Sequence, residues 1–145
     1  MLLAGCGKDE ADVPPPKPVT ALLRQLAAEH AMYGALLGLR PRDELIRRLT
    51  ARSRERTRRL STAIAAEHGR LYDAPLREEP TDDPRVALER ARAAVAAHVA
   101  ALPDLAGRER RRLGAGLIAE SAADLALLGD RYGAPATDPF PGTTA

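Results

Sequence analysis

Apolar residues recur at intervals of three and four in four successive stretches between residues 20 and 132, and a glycine or proline closes each stretch. That period lines one face of an α-helix and does not fit the two-residue period of a strand. The chain therefore reads as all-α. Composition points the same way. Aromatic residues are 3% of the 145 and tryptophan is absent, so a core must be built mainly from leucine and alanine, which favour helices over strands. A chain of this length has room for one compact domain with short tails.

The first helix is predicted from the N-cap residue Thr20 to Gly38, with Leu22, Leu26, Tyr33 and Leu37 as its buried stripe and Pro41 beyond it. A second covers about 42–68, with Leu45, Leu49, Leu60 and Ile64 inward and Gly69 as its stop. The third opens at Asp83-Pro84, an N-cap followed by proline at the first helical position, carries Leu88, Val95, Val99 and Leu102, and ends at Pro103. A fourth runs from about 105 to 132 through Leu113, Leu117, Leu125 and Leu128 and closes at Gly133.

The connections say more than the helices. The first and last are short, so each joins an antiparallel hairpin. Residues 69–83 form a much longer one containing Pro75 and Pro80. At ~3.3 Å per residue it could reach about 50 Å, against ~30 Å for a 20-residue helix. The third helix can thus start at either end of the bundle. Short–long–short spacing is what a ferritin-like four-helix bundle needs, with one long crossover between its second and third helices. A plain up-down bundle stays open, because a long connection permits the crossover without requiring it. The expected organisation is a leader and Pro-rich tether over 1–18, the bundle over 19–133 and a loose tail over 134–145.

The N-terminus carries the one localisation signal. "LLAGCG" places the single cysteine, Cys6, behind Leu-Ala-Gly and ahead of the polar, proline-rich "KDEADVPPPKP". This resembles the bacterial lipobox, whose cysteine is diacylated and becomes the first residue of the mature protein. At ~0.8 kcal/mol per buried methylene, two or more acyl chains give a stable anchor. The resemblance implies a lipoprotein on the outer face of the cell membrane. Only Met1-Leu2-Leu3 stand before the box, so an in-frame start upstream, encoding a charged and apolar signal segment, is expected. If Met1 is the true start, the protein is cytoplasmic.

Over roughly 20–132 the chain also resembles small actinobacterial ferritin-like-domain proteins, best in "LAAEHAMYGALLG" at 26–38 with Glu29 and Tyr33-Gly34. That family implies the bundle fold and brings no established activity with it.

A di-iron ferritin-like site takes carboxylates from all four helices and a Glu-x-x-His from two of them. No Glu-x-x-His occurs here, and Glu29-His30 and Glu67-His68 are adjacent pairs that point about 100° apart on a helix. Glu120 and Asp124, an i, i+4 pair at the edge of the fourth stripe, read as solvated or boundary residues. No metal site or cofactor is expected, although a haem or single ion on His30 and His98 stays open. The second stripe is instead interrupted by polar residues in "TARSRERTRR", where Ser53 and Arg56 occupy its positions and Arg52 flanks it. If the first hairpin turns near residue 40, Glu29 faces about 51–52, and a buried polar network of Glu29 with Arg52 or Arg56 is expected.

Other chemistry is not encoded recognisably. "GCGK" lacks the earlier glycine and the following Ser/Thr of a phosphate loop, and no Ser/His/Asp arrangement can be placed. The arginines between 40 and 59 are spread around their helix, mixed with acids and without stacking aromatics, and net charge is only +2, so they read as a solvated face. No run approaches the ~18 apolar residues of a membrane span. The reading is a non-catalytic binding or scaffold module of the cell envelope. It is anchored through Cys6, with a second copy or an envelope protein as partner and no nucleic acid. Its alternatives are a cytosolic protein that uses its Arg-rich second helix on nucleic acid or a partner helix, and a metal- or haem-binding bundle.

Overall fold

The computed structural model describes residues 15–39, 43–68 and 79–133. Four helices are found there: α1 (Lys17–Gly38), α2 (Glu44–His68), α3 (Pro84–Ala101) and α4 (Gly107–Tyr132), with a single 3-10 turn, Leu102–Asp104, between the last two. No strand occurs among the described residues. Cys6, most of the tether, the loop around Pro41, Gly69 with Pro75, and the tail beyond Gly133 lie outside them.

Two helix boundaries follow directly from local chemistry. Asp83 caps α3 by accepting a hydrogen bond from the Arg85 N–H at 2.9 Å, and Pro84 follows it. Gly133, at φ 70°, closes α4 in the left-handed conformation that glycine adopts without a Cβ penalty. The start of α1 differs from expectation. It begins at Lys17, with Pro16 as its N-cap and a proline in its first turn, where a missing N–H forfeits no helical bond. Thr20 is therefore inside the helix, its hydroxyl donating to the Pro15 carbonyl.

Two apolar layers fix the directions of the helices. The lower contains Leu22 and Leu26 from the start of α1, Leu60 and Ile64 from the end of α2, Ala101 from the end of α3 and Leu117 from α4. The upper contains Met32 and Leu36, Ile46 and Leu49, Leu88 and Val95, and Leu125 and Leu128. Hence α1 and α4 run one way and α2 and α3 the other. Helix α1 packs on α2 and α3, α3 also packs on α4, and α1 and α4 sit diagonally. A plain up-down bundle would put α1 beside α4. The order is up-down-down-up, and the second connection must join opposite ends of the bundle.

Gly38 is the last residue of α1, before the extended Leu39, and it is required to be glycine for a reason the sequence does not show. Its φ is not left-handed; instead, a Cβ there would overlap the carbonyl oxygen of Thr81. The backbone entering α3 passes against this glycine, and that contact places the crossover's arrival at the upper end.

The buried faces are rotated slightly from those expected. In α1 the inward residues are Leu22, Leu26, Glu29, Met32 and Leu36, while Leu37 is 40% exposed and Tyr33 half-buried. In α2, Ile46 is buried in preference to Leu45. In α3, Val99 is exposed and His98 takes the inward position, and Leu102 is only partly covered. Each shift is about one residue, or 100° on a helix.

Candidate functional site: a buried ion cluster between the two apolar layers

Between the layers lies one polar level to which every helix contributes. Glu29 comes from α1, Ser53 and Arg56 from α2, His98 from α3, and Ser121 and Asp124 from α4, all with no exposed surface; Gln25 joins from one turn below Glu29. On each helix these residues fall between an apolar residue of the lower layer and one of the upper, such as Leu26 and Met32, or Leu49 and Leu60. The three-to-four spacing that builds the apolar faces therefore also aims these polar side chains at the bundle axis.

Glu29 is the hub. Its Oε1 accepts from Ser53 Oγ at 2.7 Å and from Arg56 Nε at 2.8 Å. Oε2 faces His98 Nε2 at 3.0 Å and Ser121 Oγ at 3.5 Å. Arg56 reaches on, donating from Nη1 to Asp124 Oδ2 at 2.7 Å. Arg52, near the surface and 44% exposed, lies with Nη2 3.0 Å from Asp124 Oδ1. The other ring nitrogen of His98 meets the Gln25 carboxamide oxygen at 3.0 Å, while the Gln25 NH₂ donates to the Ala21 carbonyl. Both ring nitrogens of His98 thus face oxygens that accept, so whichever carries a proton donates it to the oxygen opposite.

The two carboxyl groups respond differently to burial. For Glu29, burial alone would raise the pKa. The hydrogen bond with His98 and the positive charge of Arg56 outweigh it, holding the group below the usual carboxylate range. For Asp124 burial prevails. Arg56 and Arg52 offset it in part, the charge of Glu29 adds to it, and the acid sits above its usual range. Arg56 loses to desolvation but gains more from its two carboxylates, so its pKa rises further. Arg56 Nη2 has no hydrogen-bond partner among the described residues.

The expected network of Glu29 with Arg52 or Arg56 thus exists with Arg56, while Arg52 pairs with Asp124 instead. Facing Glu29 are Ser53 and Arg56, not 51–52. Asp124 is not a boundary residue as expected; α4 turns it fully inward. Glu120 does lie at the boundary, paired with Arg59 across the α2–α4 contact. His98 and Ser121 were missed as members. The available signal was spacing: Val95, His98 and Ala101 continue the inward face of α3 as regularly as Val95, Val99 and Leu102. His30, only partly buried, stacks obliquely near Tyr33 with ring centroids 6.1 Å apart, whereas His98 is committed to Glu29 and Gln25.

Chemically the cluster is a self-neutralising ion network. Among the described residues no group of three or more His, Cys, Asp or Glu side chains could hold a metal ion. The Glu29 and Asp124 oxygens converge on a guanidinium that the chain itself supplies. No protein-family model, curated protein or solved structure matches the chain.

Proposed function

We propose that the chain is a non-catalytic binding module of the bacterial cell envelope: a ferritin-like bundle held at the outer face of the cytoplasmic membrane by acyl chains on Cys6. The observation that carries the reading is the position of Arg56, buried between Glu29 and Asp124 at the bundle's mid-height. Di-metal bundles of this connectivity place carboxylates around their metal pair in the bundle core. Here a tethered cation competes for those oxygens at a local concentration that no free ion matches. The interior is given over to joining the four helices, and recognition falls to the surface. The up-down-down-up order supports the ferritin-like reading.

The anchoring part rests on "LAGC" and on Cys6 being the lone cysteine. With α1 starting at Lys17, residues 7–16 could span about 30 Å when extended, enough to lift the bundle clear of lipid headgroups. No described helix is long and apolar enough to cross a membrane. Fractionation of cells carrying wild type and Cys6→Ser, with intact-mass analysis of the detergent extract, tests the anchor. Wild type should sediment with membranes and carry acyl mass, and the variant should be released or accumulate unprocessed. Equal fractionation without acyl mass would overturn the reading.

A further inference from the structure

A groove of about 750 Å³ runs along the outer face between α1 and α2. Its floor is apolar, made by Tyr33, Leu36, Leu37, Leu39 and Ile46, and Leu37 is one of the few large apolar side chains left exposed. Its α2 wall carries Arg47, Arg54 and Arg58 against the single acid Glu55. We propose that this groove binds an acidic amphipathic helix of a partner protein, about three turns long, with leucine-like side chains on the floor and carboxylates along the arginine wall. This names the partner of the binding module and rests on that reading only for the bundle being a binder.

Shape selects a helix. Positions 47 and 58 are eleven residues apart on α2, so the wall is ~16 Å long, and the channel between two antiparallel helices accepts a third in ridge-and-groove contact. Arg47, Arg54 and Arg58 stand at i, i+7 and i+11 on one side of α2, spaced ~10 Å and ~6 Å, intervals that a helical partner repeats with its own acids. The existing pairs Arg47–Glu44 and Arg58–Glu55 join side chains that are more than half exposed and are easily exchanged. Arg54 has no ion pair among the described residues.

Charge excludes the simpler occupants. A second copy offering the same face would set arginine against arginine. Residues 134–145 contain Pro135, Pro139 and Pro141, which do not allow three helical turns, and bring one acidic side chain, Asp138. Nucleic acid would meet the arginines but leave Leu37 and its floor uncovered.

The test uses the full chain and a fluorescent 14-residue helical peptide with leucines at i, i+3, i+7 and i+10 and glutamates flanking them. A lysine-for-glutamate version and a single-stranded oligonucleotide of similar length serve as competing probes. Anisotropy should show saturable binding of the acidic peptide, weakened about tenfold or more by Leu37→Asp and by Arg54→Glu. Combining Arg47→Glu, Arg54→Glu and Arg58→Glu should move preference to the lysine peptide. These side chains are exposed, and unchanged circular dichroism melts will show that the variants fold. No binding, equal binding of both peptides, tighter binding of the oligonucleotide, or insensitivity to Leu37→Asp would overturn the proposal. So would acidic-peptide binding that appears only after residues 134–145 are deleted, or only on dilution of a self-associated form, since the tail or a second copy would then be the occupant. Membrane release of Cys6→Ser is read separately, so failure of the groove and failure of the anchor are distinguishable.

Discussion

Glu29 Oε1 lies 2.8 Å from Arg56 Nε, with neither side chain exposed, and the pair joins α1 to α2 at the level where the apolar core is interrupted. Taking two charges out of water costs several kcal/mol each, and only close contact with further hydrogen bonds repays it. Both conditions hold here. Glu29 has two partners on Oε1 and two on Oε2, drawn from the other three helices, and Arg56 spends its second contact on Asp124. An all-leucine centre would let helices slide by a turn, whereas these contacts form in a single register.

Glu29→Ala should destabilise by about 3–5 kcal/mol, because it leaves the buried guanidinium with one partner and His98 facing a void. Glu29→Leu combined with Arg56→Met should lose much less, since Asp124 keeps Arg52. A denaturation double-mutant cycle should give strong coupling between Glu29 and Arg56 and under ~0.5 kcal/mol between Glu29 and Arg52. Loss below ~0.5 kcal/mol in the single variant would mean that the carboxylate is solvated.

The two acids should impart opposite pH dependences. Glu29 has a lowered pKa, so the unfolded state binds more protons; its contribution is present above the ordinary value of 4.5 and lost as pH falls through the folded-state value. Asp124 has a raised pKa, so the folded state binds more protons, and its contribution is present below 3.8 and lost as pH rises through the folded-state value. The stability advantage of wild type over Glu29→Gln should therefore shrink on acidification. That over Asp124→Asn should grow. Urea midpoints measured between pH 3 and neutrality compare them, and parallel slopes would contradict the assignment.

Gly38→Ala tests the crossover. In an exposed helix interior this change stabilises by up to ~1 kcal/mol. Here the new methyl group would overlap the Thr81 backbone, so a loss of about 1–3 kcal/mol is expected. A thermal melt above that of wild type would show that Thr81 does not approach α1.

Asp83→Ala should cost about 1 kcal/mol by removing the cap on the Arg85 N–H, while Asp83→Asn should be nearly neutral. Equal losses in the two variants would indicate that charge, and not the hydrogen bond, is what Asp83 supplies.

Some of this was written in local chemistry. Four helices follow from apolar spacing, Asp83-Pro84 and Gly133 mark ends through their own backbone preferences, and the pairing of Glu29 with an arginine of α2 follows from a polar residue flanking one stripe and arginines interrupting the next. Tertiary structure decided what spacing leaves degenerate. His98 and Val99 are neighbours about 100° apart, and a helix seen alone allows either to face inward; it equally leaves open whether Asp124, beside the buried Leu125, is covered. Only the packing of α3 on α1, and of α4 on α3 and α2, covers His98 and Asp124. The same is true of chain order. A long connection reaches either end of the bundle, and the choice is made by which helix buries α1's second face and by the close approach of Thr81 to Gly38. Local preferences act over one turn of helix, whereas burial of a charge depends on partners tens of residues away, which only the assembled bundle brings within hydrogen-bonding distance.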